Sequence, residues 1–74
     1  MKRLLDQYIS RAYPEVRAYT AYFLSKMGLY IDADTVINNS YLHVLTINDY
    51  VADEDKVKSY LLNTIKDQIL WSTS

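Results

Sequence analysis

The chain contains no cysteine, one glycine and one proline in 74 residues. The missing cysteines exclude a disulfide framework and a cysteine-ligated zinc site. A single glycine excludes a glycine-rich phosphate loop. So few turn residues also argue against a sheet protein, which needs many tight turns, and favour helices. Cations are scarce as well: eight Lys and Arg stand against nine Asp and Glu, a net charge of −1. Strong nonspecific binding to nucleic acid, which depends on neutralising many phosphates, is not expected of such a chain. No apolar run approaches the roughly 18–20 residues needed to span a bilayer. Met1, Lys2 and Arg3 begin on a basic note, but no continuous apolar stretch follows, so neither a signal peptide nor a membrane anchor is expected. The expectation is a single cytoplasmic domain over residues 1–74.

Half of the residues are hydrophobic and 23% are charged, a globular balance, and eight are tyrosine. Tyrosine joins an apolar ring to a polar tip and suits half-buried positions and interfaces. A domain of this size buries only about 60% of its unfolded surface, so its stability is expected to be slight.

Periodicity divides the chain into four expected helices, near residues 3–12, 14–27, 33–46 and 54–71, in an all-α, compact bundle. Leu4, Leu5, Tyr8, Ile9 and Ala12 make one face of the first. Pro14 interrupts, and because proline is tolerated in a first helical turn a second helix is expected to start there. Its face reads Val16, Tyr19, Tyr22, Phe23 and Met27, with Gly28 placed to end it in the left-handed conformation. Asp32 or Asp34 can cap the third helix and Asp53 the fourth, since a carboxylate accepts free N–H groups and matches the helix dipole. Val57, Leu61, Ile65 and Ile69 then repeat every four residues without a break, so the last helix is expected to be the longest. Phe23, Val36, Tyr41, Leu61 and Ile65 are the expected centre of the core.

Catalytic chemistry finds little to work with. His43 is the one histidine, and no motif brings a serine and an aspartate to it. Asp34 and His43 lie more than two helical turns apart and cannot share an ion. Asp53, Glu54 and Asp55 read as a helix cap rather than a cation site. The chain is expected to be neither an enzyme nor a metal or cofactor carrier.

Three phrases carry a resemblance. They are Tyr13-Pro14-Glu15-Val16-Arg17-Ala18-Tyr19, then Asp32-Ala33-Asp34-Thr35-Val36-Ile37-Asn38-Asn39-Ser40-Tyr41-Leu42-His43-Val44-Leu45, then Val57-Lys58-Ser59-Tyr60-Leu61-Leu62-Asn63-Thr64-Ile65-Lys66-Asp67. In order and spacing, over about residues 4 to 71, they resemble region 2 of bacterial sigma factors, especially the extracytoplasmic-function type. That family reads "YPELRRYA", "DAEDLVQEVFLRV" and "VKAYLYTIVRN" in the corresponding places. The resemblance implies a helical domain that docks on the clamp helices of the largest RNA polymerase subunit and helps direct transcription initiation. The family's docking helix falls on residues 33–45. Its acidic pair falls on Asp34 and Thr35, its glutamine and glutamate on Asn38 and Asn39, and its basic residue on His43. Two usually acidic positions are thus occupied by Thr35 and Asn39, and Asp67 stands where asparagine is common. The part of region 2 that reads promoter DNA and the separate helix-turn-helix domain have no counterpart in the sequence, so docking without complete promoter recognition is expected.

The partner surface is therefore expected on Asp34, Thr35, Asn38, Asn39 and His43. With residues 36, 37, 41, 44 and 45 turned to the core, positions 35, 38, 39, 42 and 43 fall on the opposite side. Two adjacent asparagines in mid-helix are poor helix formers, which sets them apart from an ordinary solvent face. Lys58 and Lys66 share a face that could follow a phosphate backbone, and Trp71 could stack on an unpaired base, for a minor contribution to promoter DNA. The alternative expectation is a small helical structural or assembly protein, for instance a phage component, acting through protein–protein contacts.

Overall fold

The computed structural model describes residues 2–47 and 53–72. Most of the polar connector before the last helix, and the end of the chain at 73–74, lie outside the described residues. Three α-helices follow one another: α1, Lys2–Lys26; α2, Ala33–Val44; and α3, Glu54–Trp71. No strand occurs among the described residues. The Cα radius of gyration is 12.0 Å, close to the ~11 Å of a folded chain this long. Each helix touches the other two.

The four expected helices are three, because the first two are one. Pro14 lies inside α1, which runs unbroken for 25 residues and is longer than α3 with 18. The core explains the continuity. Leu5, Tyr8, Ala12, Val16, Thr20 and Leu24 are all buried, and their spacing of three and four residues passes through position 14 with no change of phase. Breaking the helix there would unseat one half of that stripe. Pro14 and Ser10 are both exposed, so the Ser10 carbonyl that loses its N–H partner can be met by water.

The phase of α1's second half also differs from expectation. Tyr22 and Met27 are exposed, Tyr19 and Phe23 are half-buried, and Thr20 is fully buried. A hydroxyl is tolerated there because Thr20 Oγ1 donates to the Val16 carbonyl at 2.8 Å. Thr64 in α3 does the same with the Tyr60 carbonyl at 2.7 Å. Tyr19 and Phe23 instead pair on the flank, with ring centroids 6.3 Å apart.

The ends of the helices follow local chemistry. Gly28 has φ +71°, its N–H donates to Ser25 O, and the Leu29 N–H reaches back to Leu24 O. This pair of bonds closes α1 and needs the left-handed residue that glycine supplies. Asp32 caps α2, its Oδ1 accepting the Asp34 N–H at 3.3 Å. Asp53 caps α3 by accepting the Lys56 N–H at 3.0 Å, with Glu54 and Asp55 in the first turn. α2 stops two residues short of the expected 46, the Thr46 N–H and hydroxyl both turning back to the His43 carbonyl.

Val36, Leu61 and Ile65 are buried in one cluster as expected, with Val44, Val57 and Ile69. Phe23 and Tyr41 only pack against its edge. Ser40, also in α2, is fully buried, and its Oγ has no hydrogen-bond partner among the described residues.

Candidate partner-docking surface

α2 is built from two unlike faces. Ala33, Val36, Ile37, Ser40 and Val44 are buried. Thr35, Asn38, Asn39, Leu42 and His43 are exposed, on the opposite side, as the 3.6-residue period requires. Asp34 lies between the two, at the edge that meets α1.

That edge is held by two bonds of the same kind running in opposite directions. Tyr13 of α1 donates its hydroxyl to Asp34 Oδ1 of α2. Tyr41 of α2 donates its own to Asp6 Oδ1 of α1 at 2.6 Å. Arg17 Nε adds an ion pair to Asp34 Oδ1 at 3.3 Å, and Lys2 one to Asp6 at 2.7 Å. The pairing sets α2 antiparallel to α1, residue 34 beside 13 and 17, residue 41 beside 6. Between the two tyrosines lies a groove of about 250 Å³ lined by Ile9, Ile37 and Asn38. Asp34 is therefore not a free charge on the outward face. Its Oδ1 serves α1, while the side chain stays half exposed.

These bonds shift the groups that make them. Tyr13 and Tyr41 are raised above the ordinary phenol value, first because each donates to a carboxylate. Tyr8 is raised by burial. Asp6 is lowered, first by its bond from Lys2 and then by that from Tyr41. Lys2 is raised, first by its bond to Asp6. A raised phenol or ammonium stabilises the fold fully below its unfolded value, about 10 for both groups, and loses that contribution as pH rises through the folded value. A lowered carboxylate stabilises it above about pH 4 and loses the contribution as pH falls through the folded value. The urea midpoint is thus expected to be flat between those limits and to fall on either side. With Tyr13→Phe and Tyr41→Phe combined, the alkaline fall should shrink to the part due to Tyr8 and Lys2, while the acid fall should persist because Lys2 still bonds to Asp6. An alkaline limb unchanged in that variant would show that the two hydroxyls do not hold α1 to α2.

The residues expected to face DNA all lie on α3. Lys58 lines a cleft between α1 and α3 with Arg11, Glu15, Glu54 and Asp55, where Arg11 already pairs with Glu54 at 2.7 Å. Three carboxylates against two cations there give no cationic track. Lys66 is exposed on α3, and Trp71, at its end, is 79% exposed. No group of three or more His, Cys, Asp or Glu able to hold a metal occurs among the described residues. No described helix is long and apolar enough to cross a membrane.

Sequence reasoning missed Tyr13, Arg17 and Asp6 as the partners that organise this edge. Nothing local marks them, since the bonds join residues 21 and 35 apart. Leu42 was legible as outward-facing, but its 53% exposure makes it a large apolar side chain in the middle of a polar face. No protein-family model, curated protein or solved structure matches the chain.

Proposed function

We propose that the chain is a sigma-factor-like region 2 module that docks on bacterial RNA polymerase and helps direct transcription initiation. It acts in the cytoplasm by binding rather than by catalysis. The observation that carries this reading is the division of α2: Thr35, Asn38, Asn39 and His43 stand together in solvent while the other side of the same helix fills the core. These positions match the docking helix of the family the sequence resembles, and its partner there would be the clamp helices of the largest polymerase subunit. Lys58, Lys66 and Trp71, all exposed, leave room for a minor contact with promoter DNA.

The test exchanges Asn38 and Asn39 together for alanine. Circular dichroism should show the helices intact, since both residues are exposed and alanine is the better helix former. Affinity for bacterial core RNA polymerase should fall roughly tenfold, because each neutral hydrogen bond contributes about 0.5–1.5 kcal/mol net. Equal binding by the double variant would place the surface elsewhere.

The second reading, a structural or assembly protein such as a phage component, is favoured by a separate observation. Around the α1–α2 turn, Tyr22 is 65% exposed, Tyr30 fully so, and Met27 and Ile31 more than a third. Failure of the wild-type chain to bind polymerase would move that reading ahead.

A further inference from the structure

Where α1 turns into α2, the molecule carries a projection and a hollow side by side. The projection is Tyr30, which is 105% exposed, as open as in an extended chain. It sits between Gly28, which closes α1, and Asp32, which caps α2. The hollow has a volume of about 430 Å³, more than one tyrosine side chain fills, and is lined by Ala21, Leu24, Leu29 and Ile31. Arg17 and Asp32 line it too and add one charge of each sign. Tyr30 is itself a lining residue, so its ring stands at the hollow's own rim. Tyr22 and Met27, exposed in the same stretch of chain, add further apolar surface. An apolar patch of this kind marks an interaction site.

We infer that two copies of this chain pair through this end, the Tyr30 ring of each seated in the hollow of the other. Shape argues for a second copy. Because the knob stands at the rim of its own hole, one two-fold axis makes both insertions at once, and the pair closes with no hole left for a third copy. Charge argues the same way. The hollow holds a cation and an anion together, so a partner of one sign meets a like charge, whereas a partner with the same mixed pair can match each charge with its opposite. Arg17 pairs with Asp34 through Nε, which leaves its terminal nitrogens for an acceptor on the other copy. A net charge of −1 sets up little repulsion between the two bodies. Tyrosine suits the contact, its ring against the leucines and its hydroxyl within reach of polar groups. None of these residues is among the candidate docking positions of α2, so the inference stands or falls apart from polymerase binding.

The test is sedimentation of the full chain alone, over concentrations from about one to several hundred micromolar, the range in which a small interface associates. The wild type should pass from its monomer mass of 8.7 kDa to twice that mass and stop there. Its melting temperature should rise with concentration over the same range, since pairing stabilises the folded state by mass action. Tyr30→Ser should keep the helical circular dichroism, because the ring is fully exposed. Its dimer dissociation constant should be weakened at least tenfold, as for a central interface aromatic, and its melting temperature should no longer depend on concentration. A wild-type chain that stays at the monomer mass throughout would overturn the inference and leave the hollow to a different protein. Equal pairing by Tyr30→Ser would overturn it by placing the contact elsewhere. A mass that keeps growing past the dimer would overturn the two-fold closure.

Discussion

Replacing Leu61 by alanine is expected to remove roughly 2–5 kcal/mol of stability, the cost of a cavity at a fully packed leucine. Leu61 is 0% exposed and belongs to the cluster that all three helices share. Its neighbours along α3, Val57 and Ile65, are equally buried, so the space it leaves is walled by residues that cannot move to fill it without uncovering others. A chain of this size has about 5 kcal/mol of total stability, so the variant should melt far below the wild type and unfold outright at the upper end of that range. Leu42→Ala is the control: the same atoms are deleted from a residue 53% exposed, and thermal melting should barely change. A Leu61→Ala protein that melts with the wild type would mean that α3 turns a different face to the core.

Pro14→Ala should shift stability in the other direction. An interior proline costs a helix about 3 kcal/mol relative to alanine, through the lost N–H and the clash with the preceding turn. Part of that is offset because proline also restricts the unfolded chain, by about 0.4–1 kcal/mol. The net gain should be roughly 2 kcal/mol, a rise in melting temperature of about 10 °C for a domain this small. The size of the effect depends on α1 being one helix. Were a second helix to begin at Pro14, proline would sit in a first turn, where it costs little, and the substitution would leave the melting temperature unchanged or lower it.

Pro14 also shows where sequence reading stops. Signals confined to a few residues were legible: Gly28 as the end of α1, Asp53 as a cap, the α2 cap as one of Asp32 and Asp34, and the four-residue repeat from Val57 to Ile69. Each depends on chemistry within one turn of the chain. The continuity of α1 does not, because it is decided by what α2 and α3 press against on both sides of residue 14. The buried hydroxyls of Thr20 and Ser40 escaped for a related reason. A reading weighted by hydrophobicity assigns the core to Tyr22 and Met27 instead, although the threonine satisfies its own polarity on the preceding turn. On the candidate surface, the side of α2 that faces outward was legible from its period. The role of Asp34 was not, since its partners Tyr13 and Arg17 come from another helix.

The most direct test of the docking reading is competition. Core RNA polymerase carrying a fluorescently labelled principal sigma factor would be titrated with the unlabelled chain. Docking through α2 predicts displacement of the label in the micromolar range, as suits a surface of a few neutral bonds, and weaker displacement by the Asn38→Ala, Asn39→Ala double variant. A label that stays bound at saturating concentrations of folded wild-type chain would contradict the reading.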